Sequence, residues 1–391
     1  MGEARPGSAA TPSLPSNGTL PSNGALPLES GDPLNMALPS NVAIPSNGAL
    51  PSEREMVERL RAFVATQASL APADVRVGSL RRLAGGASRE LWSLDIELGG
   101  AAPAVLPLVL RRDPPGRVGE SDRGLEFRVL RAAAEAGVPV PRVHWCCGDA
   151  SVLGAPFFLM DRLEGETLPR RLLRDPEYAT TRAGLAPALG AILARIHAID
   201  TARPELAGLA TAQAGVGSAR QEVWRIVEAV QRLAVEPHPV LDLAARWLEA
   251  RAPEPRRRVL VHGDYRVGNV MFDASGVRAI LDWELVHLGD PVEDLGWLCL
   301  RAWRFGNDAL PVGGVGTREQ LVRAYEAAGG EPVDREALRY WEVCGNFKLA
   351  LVFITQCRAW LDGVPSLELA SLGRRTAEAE QELLELMEGA E

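Results

Sequence analysis

The sequence predicts an α+β fold of two lobes: a small lobe built on a mixed or antiparallel sheet with one helix packed on it, and a larger lobe that is mainly helical. Three observations predict it. Strand-like runs cluster before residue 163, around one amphipathic helical stretch. After Gly165 apolar residues recur at helical spacing over long segments. A single island of short apolar runs, residues 258–281, interrupts those helices.

The first 52 residues stand apart. LPSNG occurs at Leu14–Gly18 and Leu20–Gly24, with variants at Leu38–Val42 and Ile44–Gly48. Nine of the 29 prolines fall here, with no aromatic residue and four charges, Glu3, Arg5, Glu29 and Asp32. Such a segment buries too little apolar surface to offset its ordering entropy, so residues 1–52 are expected to be a disordered tail. Ser52 and Glu55 form a capping-box pattern that opens a helix reaching about Gln67. Strands are expected at Ser79–Leu83, Glu90–Leu98 and Val105–Arg111, then a helix at Glu126–Ala136 stopped by Gly137. Further strands are expected at Pro141–Cys147 and Phe157–Met160. This gives a small lobe over 53–163 and a larger one over 164–391. In the larger lobe the helical period covers about 181–199, 218–234, 239–250, 317–328, 334–361 and 366–388.

Composition excludes several classes. The 391 residues carry 42 basic and 51 acidic side chains, a net charge of −9, which gives no reason to expect nucleic acid or an anionic membrane as partner. No apolar run approaches the roughly 18 residues of a membrane span. The N-terminus lacks the apolar core of a signal peptide, so a cytoplasmic location is expected. Five cysteines without a C-x-x-C pair suggest neither a zinc site nor a disulfide framework. Lysine occurs once, at Lys348, against 41 arginines.

The island carries the chemistry. Val259–Val261 is a short strand delivering His262-Gly263-Asp264 into a loop that ends at Asn269. Val270–Phe272 and Val277–Leu281 read as a hairpin turned by Asp273–Gly276. Placing Phe272 opposite Val277 puts Asn269 opposite Ile280, so Asn269 and Asp282 lie within about two residues of each other across the hairpin, on the order of 7 to 8 Å. An amide oxygen and a carboxylate thus converge beside the carboxylate of Asp264. Hard oxygen donors with room for water suit Mg²⁺, which is held through few protein ligands plus substrate phosphates. The D-x-x-x-x-N spacing of Asp264 and Asn269 is the one found in protein-kinase catalytic loops.

On these motifs the sequence resembles the aminoglycoside phosphotransferase and choline-kinase-like family of kinase-fold small-molecule phosphotransferases, over about residues 75 to 390. HGDYRVGN at 262–269, ILDWE at 280–284 and GDPVEDLGW at 289–297 carry the resemblance. VLRRDPPG at 109–116, EFRVLRA at 126–132 and SVLGAPFFLMDRLEGETLPRRLL at 151–173 resemble the branch linked to acyl-CoA dehydrogenases. The resemblance implies a bilobal protein-kinase-like fold and transfer of the γ-phosphate of ATP or GTP to a hydroxyl of a small molecule, with Mg²⁺ as cofactor. It implies Asp264 as base or orienting group, Asn269 and Asp282 as metal ligands, and His262 as a brace of the loop. Gly85, Gly86 and Ser88 would cover the phosphates. Arg111 would stand where the family has a lysine, with Glu126 as its ion-pair partner. The backbone of Asp161 and Leu163 would meet the adenine.

Arg111 and the shortened glycine loop are departures, and they motivate a second hypothesis, a nucleotide-binding pseudokinase scaffold. Within the kinase reading the acceptor is expected to be a hydroxylated metabolite such as a hydroxyacyl compound, with an aminoglycoside antibiotic as the alternative. Asp290 and Asp294 are expected to cap a helix and anchor the loop. Glu284 either touches metal or substrate or is exposed or capping. His197 is expected on the hinge side of the large lobe. Lys348 faces either solvent or the cleft, Arg170 and Arg171 form a solvated helix face or meet an anionic substrate, and Trp297, Trp303, Trp341 and Trp360 are expected mainly in the helical core.

Overall fold

The computed structural model describes residues 52–83, 90–100, 103–113, 122–213, 215–254 and 257–389. The tail up to Pro51 and the glycine loop with Gly85, Gly86 and Ser88 lie outside the described residues.

The chain opens with α1 (Glu53–Ala68), and the capping box is formed: Ser52 Oγ accepts from the Glu55 amide and Glu55 Oε2 accepts from the Ser52 amide. β1 (Val75–Val77), β2 (Arg81–Arg82), β3 (Glu90–Leu98) and β4 (Ala104–Arg112) follow. Next come α2 (Arg123–Glu135), β5 (Val143–Cys147), α3 (Ala150–Leu153) and β6 (Phe157–Asp161). The strands form one sheet in the order β1-β3-β4-β6-β5, with β2 also on β3, and every pairing is antiparallel. Strand alternation decides what each face buries. Leu108, Leu110, Phe157 and Leu159 turn toward α1, where Met56, Leu60 and Val64 pack. Phe158 turns to the other face and joins α2 through Val129, Leu130 and Ala133. Arg111, next to Leu110, falls on that second face, which places it against α2.

The larger part begins with α4 (Pro169–Arg174) and α5 (Ala179–His197), then β7 (Ala210–Thr211), α6 (Ser218–Leu233) and α7 (Pro239–Arg251). The island supplies β8 (Val259–Val261), β9 (Val270–Asp273), β10 (Gly276–Ile280) and β11 (His287–Gly289). It is followed by α8 (Val292–Leu298), α9 (Arg318–Ala327), α10 (Arg335–Leu361), α11 (Leu367–Gly373) and α12 (Thr376–Glu388). One core lies between α2, α5 and the island, and another between α6, α7, α10 and α12. Among the described residues no helix is long and apolar enough to cross a membrane.

Several expectations change. The segment 366–388 is two helices, α11 ending at Gly373 and α12 starting at Thr376, with Arg374 and Arg375 between them. Ser79–Leu83 shortens to Arg81–Arg82. The short strands β1, β7 and β11 have two or three residues, too few to show alternation in sequence. The hairpin pairs Phe272 with Val277 as expected, but a bulge between Val277 and Ala279 shifts the register, so Ile280 faces Val270 rather than Asn269. The shift brings Leu281 opposite Asn269, with its amide on Asn269 O at 2.8 Å, and so moves Asp282 one residue nearer.

Candidate active site

β8 and β11 pair with each other and carry the 262–269 loop to the junction of the two parts of the chain. The loop is fixed by Asp294 on α8, whose side chain is fully buried. Asp294 Oδ2 accepts from the His262 amide at 2.7 Å and Oδ1 from the Gly263 amide at 3.0 Å. His197 Nε2 lies 3.3 Å from Oδ2, and its Nδ1 is 2.9 Å from the Tyr325 hydroxyl. Burial alone would raise the pKa of Asp294, but the His197 hydrogen bond, both histidine rings and the His262 amide outweigh it and hold the group below the usual carboxylate range. His197 therefore sits beneath the loop rather than beside the hinge. Gly263 has φ +82° and a Cβ there would stand 2.4 Å from Leu285 O, so only glycine fits.

His262 ties two strands of the site together. Its Nδ1 accepts from the Asp264 amide at 3.3 Å and its Nε2 donates to Leu281 O at 3.1 Å, next to Asp282. Burial lowers its pKa, which keeps the ring neutral in this role despite nearby carboxylates. Asp282 itself has φ +65°, a left-handed conformation that aspartate tolerates better than most residues.

The carboxylate of Asp264 is enclosed by donors. Trp297 Nε1 donates to Oδ1 at 2.8 Å, Asn269 Nδ2 to Oδ2 at 2.7 Å, and Arg266 Nε to both oxygens at 3.0 and 3.2 Å. Asn269 Nδ2 also meets Asp264 O at 2.9 Å, so the amide nitrogen is spent within the loop and the amide oxygen is the end left for another partner. Lys348, buried on α10, lies under this group: its Nζ is 3.4 Å from Gly263 O, 3.8 Å from Glu293 and 5.2 Å from the centre of the Trp297 ring. It faces neither solvent nor an open cleft.

From the small sheet Arg111 reaches across. Its Nε is 2.9 Å from Glu126 Oε1, and its Nη2 is 3.1 Å from Asp282 Oδ1 and 3.6 Å from Glu284 Oε2. Glu126 is also bound by Arg123, which pairs with Asp113. Burial acts to lower the Arg111 pKa, but Glu126, Asp282 and Glu284 raise it above its ordinary value. Asp282 is pushed up by burial and down more strongly by Arg111, ending below the usual range. Glu284 thus belongs to the charged cluster rather than capping a helix.

At the hinge the Asp161 amide donates to Arg142 O at 2.8 Å and the carboxylate is 2.6 Å from His144 Nε2. Among the described residues the Leu163 backbone makes no hydrogen bond. The following segment is pinned to the hairpin by two bonds between Glu166 and Phe272. Arg171 forms a surface network with Glu166, Asp175 and Glu177. Asp290 caps the turn into α8 through the Val292 amide. Trp341 is buried in the helical core, whereas Trp360, near the end of α10, is 42% exposed.

Residues 79–341 match the phosphotransferase enzyme family. The chain belongs to that family. It is 31% identical over 275 residues to acyl-CoA dehydrogenase family member 10 of Mus musculus, a match covering 66% of this chain and 24% of the mouse protein. The chain thus spans about a quarter of that relative's length. Among solved structures, a Ralstonia eutropha protein assigned as an aminoglycoside phosphotransferase superposes with TM-score 0.67 at 23% identity, covering 85% of this chain and 98% of the other. A thermostable mutant of aminoglycoside phosphotransferase APH(4)-Ia, bound to AMP-PNP and hygromycin B, superposes with TM-score 0.51 at 20% identity, covering 85% and 98%. At these identities the structures establish the shared kinase-like phosphotransferase fold.

Sequence reasoning singled out Asp264, Asn269, Asp282, Arg111 and Glu126; the structure brings Asp264 to Asn269 and Arg111 to Glu126 and Asp282, and His262 and the Leu281–Asn269 backbone bond link the two groups. It missed Arg266 and Trp297 as partners of Asp264. The GDPVEDLGW spacing held a signal: a helix whose Asp294 anchors the loop must bring Trp297, one turn later, alongside it.

Proposed function

We propose that the protein transfers the γ-phosphate of a nucleotide to a hydroxyl of a small molecule. The observation that carries this reading is that His262 links the Asp264–Asn269 pair to the strand end bearing Asp282, which Arg111 joins to Glu126. Asp264, held in one rotamer by its donors, would orient the acceptor hydroxyl. Arg111 would hold donor phosphates with a fixed positive charge, and a guanidinium can do so bidentately. The Asp161 carbonyl and the Leu163 amide would meet the nucleobase; the Asp161 amide is already committed to Arg142.

The donor set fits Mg²⁺. Among the described residues no three His, Cys, Asp or Glu side chains form a metal cage. A hard cation that takes one carboxylate, one amide oxygen and nucleotide phosphates needs none. Asn269 and Asp282 would hold it, and it would supply charge neutralisation for the phosphates. Everything else asked of the chain is positioning and electrostatics. ATP as donor is supported by the AMP-PNP bound to APH(4)-Ia, and GTP by the GDP bound to aminoglycoside 2'-phosphotransferase-IIIa. A hydroxyacyl metabolite as acceptor is supported by the acyl-CoA dehydrogenase relative.

The test is nucleotide consumption with Mg²⁺ across a panel of hydroxylated acceptors, including short hydroxyacyl compounds and aminoglycosides. Acceptor-stimulated consumption that is lost in Asp264→Ala supports the reading. Stabilisation by Mg-ATP without turnover of any acceptor would point to the scaffold instead.

A further inference from the structure

Asp264 offers about four lone-pair positions, and three N–H donors meet them, the single Arg266 Nε–H being shared between both oxygens. An acceptor hydroxyl reaching this carboxylate competes with these three donors for it. Trp297 is buried and Asn269 is tied twice to the loop, so neither is free to leave. Arg266 is: its contacts to Asp264 are the longest, and its side chain is about a quarter exposed (27%).

The rest of the Arg266 side chain is built to receive something. The guanidinium lies over the Trp303 ring at 4.8 Å. It passes so close to Gly268 that a Cβ there would stand 2.2 Å from Nη1, so a side chain at 268 would evict it. Among the described residues its Nη1 and Nη2 have no hydrogen-bond acceptor. The neighbouring cations are neutralised: Arg111 by Glu126, Asp282 and Glu284, and Lys348 by Glu293.

Building on the phosphotransfer reading, we propose that Arg266 recognises an anionic group, a carboxylate or phosphate, carried by the acceptor a few bonds from the reacting hydroxyl. An anion on the Nη fork draws the guanidinium off Asp264 and satisfies it, while the hydroxyl of the same molecule takes the vacated place. An acceptor without the anion leaves Arg266 on Asp264. The device selects for a hydroxyl and a negative charge on one molecule.

The test compares short 3- and 4-hydroxy acids with their methyl esters in wild type, Arg266→Gln and Arg266→Lys. Wild type is expected to favour the acid by about tenfold or more in kcat/KM, the worth of a charge-assisted hydrogen bond. Arg266→Gln abolishes the preference by raising KM for the acid and, with Asp264 no longer covered, raising kcat/KM for the ester, while KM for the nucleotide is unchanged; Arg266→Lys keeps part of the preference. Equal losses on acid and ester, as for a residue that serves the transferred phosphoryl or the loop, overturn the proposal, and so does an unchanged ratio. A second readout needs no turnover. With saturating MgADP present, inorganic phosphate raises the melting temperature of wild type, partly that of Arg266→Lys, and not that of Arg266→Gln; no shift in wild type, or equal shifts in all three, refutes the anion site. A wild type that shows this phosphate dependence but phosphorylates no acceptor keeps the anion site and removes the phosphotransfer reading.

Discussion

Removing Asp294 tests how the loop is held. Its carboxylate is fully buried and takes the amides of His262 and Gly263 at 2.7 and 3.0 Å, with the His197 ring at 3.3 Å. Asp294→Ala leaves these three donors without an acceptor. Each hydrogen bond to a charged group is worth about 1.5 to 3 kcal/mol, and the terms are not additive, so the loss is about 4 kcal/mol. Asp294→Asn keeps the volume and one accepting oxygen, and the loss is about 2 kcal/mol. Urea unfolding followed by circular dichroism measures both. The same change frees the loop that aims Asp264, so kcat in Asp294→Asn is expected to fall about a hundredfold with little change in nucleotide KM. A loss below about 1 kcal/mol for Asp294→Ala would refute the reasoning, because it would mean that the buried donors find other partners.

Two further outcomes follow from the charged groups. Arg111→Met strips the counter-charge from Asp282 and Glu284 and part of it from Glu126; it is expected to destabilise the fold by about 3 kcal/mol and to raise nucleotide KM about tenfold, measured by urea unfolding and initial rates. For His287, burial favours the neutral ring, but the Glu293 charge and the hydrogen bond at 3.1 Å win and raise its pKa. A histidine with a raised folded pKa contributes stability that is complete below its unfolded value of about 6.5 and is lost as pH rises through the folded value. The stability difference between wild type and His287→Gln, read from melts between acid and alkaline pH, should therefore be greatest on the acid side and shrink on the alkaline side; a difference that grows with pH would contradict the assignment.

Much of the site was legible because its parts are local in sequence. The strand, the loop from His262 to Asn269 and the hairpin to Asp282 lie within a few residues of one another, and turn chemistry alone set Phe272 opposite Val277. The bulge before Ala279 has no such signature: it is one extra residue accommodated by tertiary packing, and it shifted Asn269 from Ile280 to Leu281. The contacts that cross the fold were harder. Nothing in CGNFKLALVF says that Lys348 lies under Gly263 and the Trp297 ring, because the stretch of α10 between Glu342 and Arg358 is apolar on nearly every side and Lys348, its one charge, has no visible partner within that stretch. His197 was legible as a large-lobe histidine but not as the support of Asp294, since that pairing joins α5 to α8 across the core. Arg111 and Glu126 were paired only through a family likeness; strand alternation then explains why the arginine faces the helix.

The central claim is tested most directly by following phosphorus itself. Mg-ATP and a short hydroxyacyl acceptor are incubated with wild type, Asp264→Ala, Asn269→Ala and Asp282→Ala, and the mixtures are read by ³¹P nuclear magnetic resonance. The account predicts a phosphate monoester signal on the acceptor, growing as the γ-phosphate signal falls, with wild type and Mg²⁺, and its absence or near-absence in each variant. A wild-type enzyme that leaves the γ-phosphate intact with every hydroxylated acceptor, or an Asp264→Ala variant that forms the ester as fast as wild type, would contradict it.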